Sequence, residues 1–155
     1  MIQLNRILFP TDFSECSRRA QEYAASLAEQ YQAELHLLHV LSDLTSFVGD
    51  GSAMFAVPDN YYAEQKLAAG DALSRLLPTE WMAGRLVTCA TRVGSPFVEI
   101  IAYAKEQEID LIVIGTHGHG ALMHMLLGSV AERVVRMASC PVLTVRPAEH
   151  AFVGS

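Results

Sequence analysis

The chain of 155 residues reads as an α/β protein: an open parallel sheet with helices on both faces. Three observations predict this. Short apolar runs alternate with stretches of helical periodicity along the whole chain. Leu35 to Leu41 is nearly apolar throughout, apart from His36 and His39, as expected of a strand covered on both faces. The apolar run Leu111 to Ile114 ends in a glycine-rich turn, Gly115-Thr116-His117-Gly118-His119-Gly120. In open parallel sheets, ligands bind beyond the carboxyl ends of the strands, where such turns lie.

Each element has its own signal. Ile7-Leu8-Phe9 is a first strand stopped by Pro10. Asp12 or Ser14 can cap the helix that follows, with Glu15 placed as in a capping box. Cys16, Ala20, Tyr23, Ala24, Leu27 and Tyr31 recur at helical spacing and form its expected buried stripe. Leu35 to Leu41 is the second strand. Ser42 to Pro58 is the longest irregular stretch, and its Phe47, Met54 and Phe55 suggest a part that packs down. Asp59 to Leu77 reads as one helix ended by Pro78, with Gly70 inside it. Arg85 to Val93 is the third strand, with Leu86, Val87 and Val93 its most strand-like members. Ser95 then caps a helix that has Pro96 in its first position and runs to about Gln107. Leu111 to Ile114 is the fourth strand. A helix from about Ser129 to Ala138 follows, and Pro141 introduces the last strand, Val142 to Val145.

Composition narrows the function. A chain of this length, half of it hydrophobic, predicts a single domain over residues 1–147, followed by a loose tail over 148–155. The net charge of −6, with two lysines (Lys66 and Lys105) and nine scattered arginines, argues against nucleic acid as a partner. No apolar run approaches the roughly 18 residues of a membrane span, and the N-terminus lacks the layout of a secretory signal. Cys16, Cys89 and Cys140 form no CxxC pair. They are expected to be reduced thiols packed as small hydrophobes in a cytoplasmic protein.

The chemistry concentrates after the fourth strand. The spacing is Gly115, two residues, Gly118, nine residues, Gly128-Ser129. Glycines let the backbone approach a phosphate closely, and the N-terminus of a helix offers unpaired N–H donors and a partial positive charge. Ser129 adds a side-chain donor. A nucleotide phosphate is the expected guest. Other phosphate motifs do not match: GxxxxGK[ST] is absent, and the GxG of Gly118-His119-Gly120 meets Met123 where GxxG needs glycine. His117, His119 and His124 form an H-x-H-x4-H cluster that could bind a transition metal but lacks a clear fourth ligand. His117 or His119 could instead touch phosphate, which would make affinity pH-dependent. His36 and His39 are expected to pack or hydrogen-bond within the fold.

That glycine spacing closely resembles the ATP-binding motif of the universal stress protein family. The resemblance extends to Arg6-Ile7-Leu8-Phe9-Pro10-Thr11-Asp12-Phe13-Ser14, to Leu37-Leu38-His39-Val40 and to Cys140-Pro141-Val142-Leu143-Thr144-Val145, and so runs from about Asn5 to Arg146. It implies a Rossmann-like sheet of the adenine nucleotide alpha hydrolase-like kind, five strands in the order 3-2-1-4-5. The winding then reverses between strands 1 and 4, which end at the two most motif-like places in the chain. It also implies a site. Pro10 and Thr11 form part of its floor, Asp12 sits near the nucleoside, and the backbone of Val40 meets the adenine edge. Gly115, Thr116, His117 and Gly118 line the ribose and phosphates, and Gly128, Ser129 and Val130 give N–H groups to the phosphates. Some members lack the glycine motif and bind no ATP; here it is whole.

The resemblance supports an ATP-binding regulator of a stress response, with Mg²⁺ held mainly by the phosphates and an unknown regulatory partner protein. Two alternatives stand beside it: a slow ATPase or phosphotransferase, and a nucleotide-independent interaction module. Fast phosphoryl transfer usually needs positioned cations, and no lysine lies near the motif. The apolar Val142, Leu143 and Val145 at the expected sheet edge invite pairing. The resemblance implies an antiparallel homodimer through Val142–Val145.

Overall fold

The computed structural model describes residues 1–44, 57–117 and 127–147. Five strands, β1 (Arg6–Pro10), β2 (Glu34–Ser42), β3 (Val87–Gly94), β4 (Leu111–Gly115) and β5 (Val142–Val145), form one sheet in the order β3-β2-β1-β4-β5. Every pairing is parallel. The helices are α1 (Arg18–Tyr31), α2 (Tyr61–Ser74), α3 (Thr79–Ala83), α4 (Pro96–Glu106) and α5 (Ser129–Met137). No helix among the described residues is long and apolar enough to cross a membrane.

The period-2 alternation of strand side chains builds two cores. On one face Ile7, Phe9, Leu35, Leu37 and Val113 pack against Ala20, Ala24 and Ala28 of α1 and Leu73 of α2. On the other, Leu8, Leu38, Ile112 and Ile114 pack against Ile100, Tyr103 and Ala104 of α4 and Ala131 and Val134 of α5. Both faces of the central strands are therefore covered, and Ile7, Leu8 and Phe9 are fully buried. The chain winds outward from β1 to β3, then crosses back to β4 on the far side of β1. The reversal falls between β1 and β4, where ligands of such sheets bind.

Several boundaries differ from the sequence expectation. Pro10 is the last residue of β1 rather than its stop, because its register partner Leu38 needs no N–H from it at the strand end. The helix after β1 begins with a 3₁₀ turn, Glu15–Ser17, and neither Asp12 nor Ser14 caps it through a side chain. Its buried stripe is Ala20, Ala24 and Ala28; Tyr23 and Tyr31 are 45% and 41% exposed. Small residues bring α1 close to the sheet, which leaves no depth for the two rings. At its C-terminus Gln32 takes the left-handed conformation, φ 55°, and Ala33 N–H reaches the Ala28 carbonyl at 2.9 Å. This is a Schellman-type end without glycine.

The expected single helix over 59–77 is two. It stops at Ser74, and Pro78 directly precedes α3, since proline cannot continue a helix but suits the approach to one. Leu86 lies outside β3 and is 73% exposed. Ser95 precedes α4 without a side-chain cap bond. No cysteine is fully buried: Cys16 and Cys140 are half-buried, and Cys89 is exposed on the edge strand β3. Most of the irregular stretch after Ser42 and the tail over 148–155 lie outside the described residues.

Candidate functional site

β1 and β4 are parallel neighbours, so their carboxyl ends lie side by side at one edge of the sheet. From the β1 side, Thr11 N–H donates to the Leu38 carbonyl at 2.9 Å, which carries the sheet pairing one residue past Pro10. The chain then turns. Phe13 N–H donates to Thr11 Oγ1 at 3.0 Å, and Ser14 N–H donates to Asp12 Oδ1 at 3.0 Å. Ser17 Oγ donates to the Ser14 carbonyl at 2.8 Å and lies 3.2 Å from Thr11 Oγ1. The turn is thus wired by its own hydroxyls and by Asp12. Phe13 adopts φ 63°, a left-handed conformation that side chains rarely take.

From the β4 side, Gly115 faces the 3₁₀ turn. A Cβ there would lie 3.4 Å from Ser17 Cα and 3.5 Å from the Cys16 carbonyl oxygen. A Cβ would thus make ordinary contact with the 3₁₀ turn that follows β1. Thr116 is buried; its N–H donates to the Val145 carbonyl at 3.0 Å, and its Oγ1 lies 2.8 Å from His117 Nδ1. Gly128 N–H then donates to the Thr116 carbonyl at 2.5 Å, and a Cβ on Gly128 would stand 3.0 Å from that same oxygen. With φ −68° and ψ 161°, Gly128 needs no left-handed freedom. Its value is the close approach, which seats the first turn of α5 against the end of β4.

Ser129 is the first residue of α5 and is exposed, and Val130 is half-buried against the second core. The first N–H groups of any helix have no intrahelical acceptor. Those of Ser129 and Val130, with the positive end of the helix dipole, therefore lie at the end of α5 that Gly128 seats against β4. The N–H of Gly128 differs from the expectation: it is occupied by Thr116. Arg133, one turn further on, stacks its guanidinium 4.8 Å from the centroid of Phe97 on α4.

β2 forms the next wall. Val40 is half-buried against the second core, and its strand continues to Ser42. Beyond it, Leu44 N–H donates to the Tyr62 hydroxyl at 3.0 Å, which donates to Asp43 Oδ1 at 3.2 Å. His39 packs inward as expected, 2.8 Å from the Thr11 carbonyl through Nδ1. Pro10, Thr11 and Asp12 thus lie at the end of β1, Gly115, Thr116 and His117 at the end of the neighbouring β4, and Gly128, Ser129 and Val130 open α5, with Gly128 packed on Thr116. Gly118, His119 and His124 lie outside the described residues. Ser14, Ser17 and Phe13 were not singled out for the site from sequence. Their only signal was proximity to Asp12.

A model described as the universal stress protein family matches residues 3–146. The chain belongs to that family. It is 34% identical over 142 residues to universal stress protein MJ0531 of Methanocaldococcus jannaschii, covering 91% of this chain and 81% of the relative. Among solved structures, universal stress protein UspA from Lactobacillus plantarum superposes with a TM-score of 0.74 at 28% identity, over 94% of this chain and 100% of the other. The universal stress protein from Archaeoglobus fulgidus in complex with dAMP shares the fold at 23% identity and a TM-score of 0.61, over 94% and 100% of the two chains. The five-stranded order implied by the family resemblance is the order observed.

Proposed function

We propose that this universal stress protein binds an adenine nucleotide, ATP first among them, beyond the carboxyl ends of β1 and β4, and acts as a nucleotide-dependent regulator. One observation carries the reading. Gly128 packs directly on the Thr116 carbonyl and so seats the N-terminus of α5 against the end of β4, the strand next to the switch point of the sheet. Ser129 and Val130 would hold the phosphates, Gly115 to Gly118 would line the ribose and phosphates, and Asp12 would face the nucleoside. Val40 would meet the adenine through its backbone. Mg²⁺ would sit mainly on the phosphates. The dAMP-bound relative lends support to the choice of adenine nucleotide.

Binding is favoured over rapid turnover. Phosphoryl transfer calls for cations aimed at the transferring group, and the nearby Arg133 is engaged on Phe97. We also propose a homodimer through β5. It is one of the two outer strands of the sheet, and Val142 and Leu143 pack only partly into the cores.

The deciding experiment is mass spectrometry of nucleotide released on denaturing the purified protein, with Gly128→Val beside it. A Cβ at that position meets backbone oxygen at 3.0 Å, so valine pushes α5 off β4. ATP from the native chain and none from the variant is the expected result. If neither releases nucleotide and calorimetry with Mg-ATP is also flat, the interaction-module reading replaces this one.

A further inference from the structure

The turn that carries Asp12 is held from outside by a residue of the neighbouring strand. His39 makes two contacts with it. Its Nδ1 lies 2.8 Å from the Thr11 carbonyl oxygen, and its ring stacks on Phe13 with centroids 4.6 Å apart and planes inclined by 34°. A carbonyl only accepts, so the proton must sit on Nδ1. The bond therefore fixes one tautomer of the ring and leaves Nε2 as the acceptor nitrogen when the ring is neutral.

Phe13 explains why the turn needs holding. Its φ of 63° lies in the left-handed region, which an L side chain disfavours. Such a conformation persists only where the surroundings impose it. Here they are the His39 ring on one side and the first core on the other. The same turn sets the direction of Asp12, whose Oδ1 takes the Ser14 N–H, while Thr11 Oγ1 takes the Phe13 N–H. Loosening Thr11 and Phe13 thus loosens the carboxylate between them. His39 also directly precedes Val40, so one strand carries both the backbone expected at the adenine edge and the ring that orients the turn.

We propose that His39 is a positioning residue for nucleoside recognition: it locks the Thr11–Ser14 turn so that Asp12 is presented to the bound nucleoside. This role rests on the nucleotide-binding reading of the site. It differs from simple packing in that it acts through Asp12 and depends on a donor at Nδ1.

The test is a double-mutant cycle read by calorimetry with Mg-ATP, using His39→Leu, Asp12→Ala and the pair together, with His39→Asn as rescue. The asparagine amide places an N–H close to where Nδ1 stands. Loss of one such hydrogen bond predicts about ten-fold weaker binding for His39→Leu. His39→Asn should stay within about three-fold of the native chain. The double variant should bind no more weakly than Asp12→Ala alone. Multiplying penalties, or a His39→Asn variant as weak as His39→Leu, overturns the role.

Long-range ¹H–¹⁵N spectra of the native protein supply a second readout that needs no variant to fold. They should show His39 protonated at Nδ1. A protein that binds Mg-ATP with the proton on Nε2 keeps its nucleotide site and loses this role. A protein that shows the Nδ1 tautomer but binds no adenine nucleotide loses the nucleotide reading, and nucleoside positioning with it, leaving His39 a strut of the turn.

Discussion

His36 is 3% exposed beneath α4, with Nδ1 2.8 Å from the Tyr103 hydroxyl. Its Nε2 lies 3.4 Å from Glu34 Oε1 and makes no hydrogen bond. Burial lowers its pKa below 6.5, and the Glu34 charge opposes that only in part. The folded chain thus keeps the ring neutral where the unfolded chain protonates it. The associated stability is intact above pH 6.5 and is lost as pH falls below it, by up to about 1.4 kcal/mol per pH unit until the folded group titrates. Urea titrations of the native chain and His36→Gln between pH 7 and 5 should converge toward low pH; parallel curves would remove His36 from the acid response. That the two histidines of β2 would hydrogen-bond within the fold was legible from their setting in an apolar strand. Their partners were not, because Tyr103 lies 67 residues away in sequence. Gly128 was legible as a motif position from its local spacing, whereas the Thr116 carbonyl that a side chain there would crowd is a product of tertiary approach.

At the level of elements, α1 shows what periodicity reads and what it misses. The helix and its register were plain from Ala20 and Ala24. The tyrosines were assigned to the same face because hydropathy grades side chains without regard to room. Depth decides here: three alanines at intervals of four define a shallow contact with β1 and β4. Ala24→Leu should therefore destabilise the fold by about 1–3 kcal/mol through overpacking, while Tyr23→Ala should change it by less than about 0.5 kcal/mol. Equilibrium urea unfolding of both variants checks this, and a tolerated leucine would mean that α1 can lift without cost. The split of the 59–77 helix has a similar origin. Pro78 marks an end in sequence, but that a new helix starts there depends on Trp81 and Met82 finding the first core.

For the whole molecule, alternation of strands and helices gave the parallel sheet, and family resemblance gave its order. Physics alone did not choose between orders, since βαβ handedness constrains each crossover and not the sequence of neighbours. The proposed dimer belongs to this scale. Thr144→Lys places a charge on the β5 edge, a device that keeps edges unpaired. Light scattering should show the native protein at twice the chain mass and the variant at the chain mass; an unchanged dimer would move the interface elsewhere.

The position of β1 has a temporal consequence. It is the first of the sheet's five strands along the chain and also the central one, with Ile7 paired to Leu35 on one side and to Leu111 on the other. Asp110 completes the tie by accepting the N–H groups of Asn5 and Arg6 at 2.7 and 2.9 Å. A chain emerging from the ribosome can dock β2 early, but it must carry the other edge of its most buried strand open until some hundred residues later. Nascent chains arrested before Leu111 should therefore be the species that chaperones hold, and release should coincide with the appearance of β4.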